Sequence, residues 1–304
     1  METPAIWSLA IHGGAGGMTP ATLGLPAQSA ACAALTTALE TGGAILSAGG
    51  TAVDAVAAAV AILEDAPEFN AGRGAVFTAD GTVELDAAIM DGARGRAGAV
   101  ARVTGTRHPV ALARAVMERT PHVMLAGVGA DAFALTTGLE QVDQSWFKTP
   151  ERARQFGQSN GVFDRDMKFG TVGAVARDTA GRLAAATSTG GVTGKKWGRI
   201  GDSPVIGAGT FADGTCAVSA TGSGEDFLRA VAAHEIAARV RLAGTPLAEA
   251  VAAVLAEIVA GGGAGGIIAM PAAGDPAVLF TTQAMFRGTV SANGAANVAI
   301  FAEA

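Results

Sequence analysis

Charge is scarce in this 304-residue sequence. Asp, Glu, Lys and Arg make up 16% of it, against about a quarter in ordinary globular chains. The balance is acidic, with a net charge of −6, which argues against the basic face that nucleic acid requires. Cysteine is scarcer still. Cys32 and Cys216 alone supply neither a disulfide framework nor a set of metal ligands. Long apolar runs are missing too: residues 52–63 contain Asp54, and residues 247–260 contain Glu249 and Glu257. Both fall short of the ~20 apolar residues of a spanning helix. The N-terminus has Glu2 and no Lys or Arg before its short apolar run, unlike a secretory signal. The expectation is a soluble, cytoplasmic protein with no membrane or nucleic-acid partner.

What is abundant is glycine, 43 residues without a collagen-like period, and apolar residues, at 50%. Few charges and much apolar surface imply a large buried fraction, as in a sheet covered on both faces or a subunit interface. Residues 5–11 read as a buried strand running into the Gly-rich HGGAGG of residues 12–17. Helical patterns follow at 27–47 and, opened by Thr51 and Asp54 as a capping box, at 51–64. Strand candidates lie at 82–90 and 97–103, and a helix at 109–118 leads into 122–135. Residues 141–170 break the composition: nine of these 30 are charged, with no sustained period, which predicts a linker or surface segment. Beyond it come strand candidates at 171–177, 182–188, 205–209 and 215–220, then helices at 225–242 and 246–259. Three more strands are expected at 266–270, 277–282 and 297–301. Helices beside runs of consecutive strands point to layered α/β packing with antiparallel hairpins.

The junction Gly170-Thr171-Val172-Gly173, where the polar segment meets a buried-looking strand, is the candidate that weighs most. A threonine hydroxyl within a chain is a weak nucleophile that needs an adjacent base. Cutting the Gly170–Thr171 bond would place an α-amine beside that hydroxyl, and an α-amine of pKa about 7.7–8.0 accepts a proton near neutral pH. Gly170, lacking a Cβ, tolerates backbone geometries that bring its carbonyl against the Thr171 hydroxyl. By itself the tetrapeptide also fits an ordinary strand start.

Three further segments weigh in. Thr187-Ser188-Thr189-Gly190-Gly191 offers hydroxyls and flexible backbone at a strand end. Gly198-Arg199-Ile200-Gly201-Asp202 sets an Arg, which can clamp a carboxylate, three residues from an Asp, which can receive an ammonium. Together they match the zwitterionic end of an amino acid, or else a surface ion pair. Thr221-Gly222-Ser223-Gly224-Glu225 is a Gly-rich turn opening a helix, where N–H groups could hold an oxyanion or simply cap.

IHGGAGG (residues 11–17), FNAGRGAVF (69–77), ELDAAIMDG (84–92), GTVGAV, AAATSTGG, GRIGDSP and TGSGE, in this order, resemble the plant-type L-asparaginase and isoaspartyl peptidase family of N-terminal-nucleophile hydrolases over nearly the whole chain. The resemblance implies an αββα four-layer sandwich. It implies self-cleavage into an α subunit, residues 1–170, and a β subunit, residues 171–304, that form one folded domain and pair as a homodimer of αβ units. It assigns Thr171 as nucleophile and its freed amine as base, and Thr189 as the hydroxyl that orients it. Arg199 and Asp202 would hold the substrate α-carboxylate and α-amine, and Gly224 would add a backbone contact. Thr221 and Gly222 would form the oxyanion hole, and Asn70 would buttress the nucleophile. No cofactor takes part in catalysis. A structural sodium would be held by the backbone carbonyls of Leu63, Glu64, Ala66, Phe69, Ala71 and Arg73. The implied activity is hydrolysis of asparagine and β-aspartyl dipeptides. Alternatives are a glycosylasparaginase-like amidase, which favours Asn where Gly190 stands here, an uncleaved family member kept for interaction, and a non-catalytic metabolite-binding α/β protein.

Other features carry less. The GGGAGG of residues 261–266 follows a helix and precedes a strand, the reverse of a dinucleotide loop. Lys195, Lys196 and Trp197 form a basic, bulky insert near the site. His12 is read as a packed or capping histidine, Asp86 and Asp91 as turn and loop anchors, and both cysteines as small core residues.

Overall fold

A computed structural model describes residues 6–159 and 170–302. In chain order the first half runs β1 (Ser8–Gly16), α1 (Leu25–Ser47), α2 (Ala52–Asp65), β2 (Leu85–Asp91), β3 (Arg96–Val103), α3 (Pro109–Arg119), β4 (Met124–Ala126), α4 (Gly127–Ala134), α5 (Gln144–Phe147) and α6 (Pro150–Ser159). The second half runs β5 (Val172–Arg177), β6 (Leu183–Thr189), β7 (Thr210–Ala212), β8 (Cys216–Gly222), α7 (Gly224–Ala230), α8 (Ala232–Ala243), α9 (Leu247–Ala260), β9 (Gly265–Pro271), β10 (Ala277–Phe280), β11 (Ala284–Ser291) and β12 (Gly294–Phe301). The fold is mixed α/β, with two sheets.

The larger sheet has the order β12-β11-β1-β5-β6-β2-β3-β4 and the smaller β10-β9-β8-β7. The two-residue alternation of strands sorts the side chains. Leu9 and Ile11 of β1, with Val172, Ala174 and Ala176 of β5, pack beneath α1 and α2. Ala10 and Val175 face the other way, against Ala217, Ile268 and Met270 of the smaller sheet. Alanines dominate this second layer, so the sheets approach closely and β8 lies against β5 and β6. A third core, around Val218, Phe227, Ile236, Val254 and Ile267, fills the space under α8 and α9.

Several expectations are corrected here. Residues 141–159, expected as a linker or surface segment, lie mostly at the surface but form α5 and α6, with Phe147 fully buried and Arg152 nearly so. Residues 160–169 of that segment lie outside the described residues. The helix expected at 225–242 breaks at Val231, whose φ of 46° is left-handed. The break lets the amides of Ala233 and His234 reach the carbonyls of Ala208 and Gly207, at 3.0 and 2.8 Å. Residues 205–209 form turns, and the strand follows them as β7. β11, which pairs with β1, was not expected. α1 is long and apolar enough to cross a membrane by length and composition, but its Leu35, Leu39 and Leu46 are buried in the helix-covered core.

Candidate active site

The β5–β6 hairpin sets the register. Val172 pairs with Ser188, which puts Thr171, one residue ahead of β5, opposite Thr189. The Thr171 hydroxyl donates to Thr189 Oγ1 at 3.0 Å, and Thr189 Oγ1 also accepts the Gly191 amide at 3.0 Å. Thr171 is 9% exposed, at the edge between core and solvent.

Gly170 is held tightly. Its carbonyl accepts the Asn70 amide at 3.2 Å, and a Cβ on it would fall 2.0 Å from Gly14 Cα. Asn70 in turn donates from Nδ2 to the Gly191 carbonyl at 2.7 Å, accepts the Val76 amide on Oδ1 at 2.9 Å, and accepts the Gly190 amide on its own carbonyl at 3.0 Å. Asn70 therefore clasps both the residue before Thr171 and the loop beyond Thr189. A Cβ at Gly190 would sit 2.5 Å from Asn70 Oδ1, so only glycine fits.

Arg199 and Asp202 come together, though not as a pair. Arg199 makes a two-pronged ion pair with Glu225, Nε to Oε1 at 2.9 Å and Nη2 to Oε2 at 3.0 Å. Asp202 is buried, and its Oδ2 has no hydrogen-bond partner among the described residues. Burial pushes its pKa up to about 7, against the pull of the Arg199 charge. A Cβ on Gly224 would lie 2.7 Å from Arg199 Nη2 and 3.0 Å from Asp202 Oδ1. The guanidinium, the carboxylate and the Gly224 backbone thus surround one point.

Thr221 and Gly222 end β8. A Cβ on Gly173 would fall 2.0 Å from Ser219 Oγ, so β8 touches β5 two residues past Thr171, and Thr221 follows Ser219 on the same face. Thr221 Oγ1 is buried, without a hydrogen-bond partner among the described residues. Such an orphan hydroxyl costs stability unless something else uses it.

Four residues that the sequence reading names without a site role stand here. Glu225, at the end of the TGSGE segment, is the Arg199 partner. Lys195 is buried and donates from Nζ to the Glu84 carbonyl at 2.8 Å, with burial holding its pKa below the usual lysine range. Asp86, buried on β2 across from Thr189, accepts the Arg102 amide at 2.8 Å, and burial raises its pKa. His12 touches the Thr171 carbonyl, at 3.0 Å. Asp91, by contrast, is the turn anchor expected, accepting the amides of Ala93 and Arg94.

The loop of residues 63–73 turns back on itself through Gly72, at φ 47°, where a Cβ would meet the Glu64 carbonyl at 2.3 Å. The carbonyls of Glu64 and Ala66 each accept one amide, from Arg73 at 2.7 Å and Phe69 at 3.3 Å, which leaves each a second lone pair. Backbone carbonyls are the kind of oxygen donor a hard cation takes, and those of Glu64 and Ala66 keep the capacity for one. The Arg73 guanidinium lies over the Trp146 ring, 5.0 Å from its centroid. Among the described residues no group of three or more His, Cys, Asp or Glu could hold a metal ion.

A cavity of about 190 Å³ lies at the other end of the central strands. Its Arg94, Arg114 and Arg182 are paired with Asp91, Asp54 and Asp178, Arg96 reaches the Met117 carbonyl, and the cavity lies away from Thr171.

The asparaginase family model matches residues 5–300. The chain is 46% identical over 308 residues to an isoaspartyl peptidase of Salmonella typhimurium, covering 97% of this chain and 98% of that one. It is 47% identical to an isoaspartyl peptidase of Escherichia coli, covering 97% and 96%. It is 39% identical to a probable isoaspartyl peptidase/L-asparaginase 2 of Arabidopsis thaliana, covering 97% and 99%.

Proposed function

Because this chain belongs to the asparaginase family, we propose that it is a hydrolase of the asparagine side-chain amide and of β-aspartyl dipeptides, activated by cutting itself before Thr171. The observation that carries this reading is the 3.0 Å hydrogen bond between the Thr171 and Thr189 hydroxyls, directly beside a Gly170 carbonyl engaged by the Asn70 amide. That amide polarises the carbonyl which the Thr171 hydroxyl attacks in self-cleavage. The peptide nitrogen leaves as the α-amine of Thr171, and water releases Gly170 from the ester.

In turnover, Thr171 Oγ1 adds to the substrate side-chain carbonyl while the Thr171 amine takes the hydroxyl proton. Thr189 holds the hydroxyl in line. The Thr221 hydroxyl and the Gly222 amide receive the oxyanion. The leaving nitrogen departs with the proton, as ammonia or as the amine of the second amino acid, and water hydrolyses the β-aspartyl ester on Thr171. Arg199 binds the substrate α-carboxylate, and Asp202, with Gly224 beside it, binds the α-amine.

The sheet order supports two fragments that stay together. Cutting before β5 leaves β1 of residues 1–170 between β11 and β5 of residues 171–304, and β2 against β6. Three hydrogen-bonded seams then join the fragments. The contacts of α1–α3 on one sheet and α8–α9 on the other support the αββα sandwich of N-terminal-nucleophile hydrolases. We read the working unit as a homodimer of such αβ pairs, with sodium steadying the loop of residues 63–73. The glycosylasparaginase alternative is disfavoured by Gly190, where no side chain fits.

Thr171→Ala tests the proposal. It should remain one chain and release no ammonia from asparagine, whereas processing with full activity would defeat the assignment.

A further inference from the structure

A fully buried histidine is costly. Removing an imidazole from water penalises its charged form and demands hydrogen bonds for both ring nitrogens. His12 is 0% exposed, between the two sheets, and both its nitrogens are engaged: Nδ1 with the Thr171 carbonyl at 3.0 Å, and Nε2 with Ser219 Oγ at 2.9 Å. The partners fix its proton. A carbonyl only accepts, so Nδ1 carries the hydrogen. Burial keeps the ring neutral, its pKa pushed down to about 3, so Nε2 is bare and accepts the Ser219 hydroxyl.

That assignment propagates. Ser219 has spent its proton on His12, so it accepts the Thr187 hydroxyl at 2.7 Å. Thr187 then accepts from the Thr210 hydroxyl at 2.6 Å, which shares its proton with the Ser203 carbonyl at 2.9 Å. Four buried side chains from β1, β8, β6 and β7 form one directed chain across both sheets, ending on the main chain of Thr171. The backbone is cut to fit it. His12 pairs with Gly173 in the β1–β5 register, and a Cβ there would lie 2.4 Å from His12 Nε2 and 2.0 Å from Ser219 Oγ. No other residue lets the imidazole cross.

We propose that His12 is a positioning residue for the nucleophile: its Nδ1–H holds the Thr171 carbonyl, and the Ser219–Thr187–Thr210 hydroxyls lock His12 in the tautomer that can do so. This rests on the reading of Thr171 as an N-terminal nucleophile. Before cleavage Thr171 is tied to the chain on both sides. Afterwards its N-side tether is gone, and the peptide plane following it sets where its amine and hydroxyl point. The His12 bond fixes that plane. Small misplacements of a nucleophile are expensive, about a hundredfold in rate for 1 Å.

The test uses the full-length protein. An Asn at position 12 can place its amide N–H where Nδ1–H stands, whereas Ala cannot. His12→Ala should be processed yet turn over β-aspartyl dipeptide with kcat lowered about tenfold or more and KM within about threefold. His12→Asn should recover most of the loss. Equal kcat in His12→Ala and wild type, a loss confined to KM, or no recovery with Asn overturns the proposal. If His12→Ala does not fold, nitrogen-15 NMR of the wild-type imidazole decides. A proton on Nδ1 is expected, and one on Nε2 refutes the proposal. N-terminal sequencing of the same wild-type sample separates the two readings. If its mature fragment does not begin at Thr171, the nucleophile assignment has failed; if it does and His12→Ala is unimpaired, only the role of His12 has.

Discussion

Arg199 gives its Nε–Nη2 edge to Glu225, at 2.9 and 3.0 Å, and leaves Nη1 turned toward Gly191 and Gly201. The ion pair thus orients the guanidinium and keeps its other edge for a carboxylate. Lysine has a point charge and no fork to share between two carboxylates. Arg199→Lys should therefore raise KM for asparagine by about tenfold or more, a lost charge-assisted bond being worth roughly 1.5–3 kcal/mol, with a smaller change in kcat. Steady-state kinetics reads the split.

Asp202 should impose a pH limb on substrate capture. Its pKa is raised to about 7 by burial, and only the ionised form attracts an ammonium. As pH falls below about 7 the carboxyl becomes protonated, so kcat/KM should fall toward tenfold per unit. Asp202→Asn should lower kcat/KM and remove that limb, while kcat at saturating substrate keeps the dependence set by the Thr171 amine.

Gly14 is needed by the uncut chain. Its φ of 108° suits glycine, and a Cβ there would lie 2.2 Å from Gly170 Cα. Gly14→Ala should displace Gly170 from the Asn70 amide and slow self-cleavage, with about 1–3 kcal/mol of backbone strain in addition. Accumulation of full-length chain on a denaturing gel, with a lowered melting temperature, is the expected result.

His12 also ties stability to acidity. Its folded pKa of about 3 lies below the ordinary value of 6.5, so between these values the unfolded chain binds a proton that the folded one refuses. Stability is full above about 6.5 and falls as pH drops toward 3, by up to about 1.4 kcal/mol per unit. Asn does not titrate, so the melting-temperature difference between His12→Asn and wild type should move in favour of the variant across that window.

Much of this was legible in the sequence, for physical reasons. The Thr171 and Thr189 segments read as strands with hydroxyls at their ends, and the antiparallel register brings the two hydroxyls within a hydrogen bond. Thr51 and Asp54 do form the start of α2, with the Asp54 amide 3.1 Å from Thr51 Oγ1. The Gly261–Gly266 run does join a helix to a strand. What stayed hidden depends on tertiary approach. A lone His12 carries no local signal that its ring will cross to Ser219, 207 residues away, because only the packing of one sheet on the other creates that contact. Arg199 and Asp202, three apart, suggested a pair, yet the chain turns so that Glu225 takes the Arg. Val231 breaks a continuous helical pattern because carbonyls of another loop compete for its amides. The polar composition of residues 141–159 hid α6, whose Arg152 is buried against the Gly74 carbonyl.

The most direct test of the account is N-terminal sequencing of purified protein that hydrolyses asparagine or a β-aspartyl dipeptide. The account predicts two fragments, of 170 and 134 residues, the second opening Thr-Val-Gly-Ala. Active material that is a single uncut chain, or whose second fragment begins at any other residue, contradicts it.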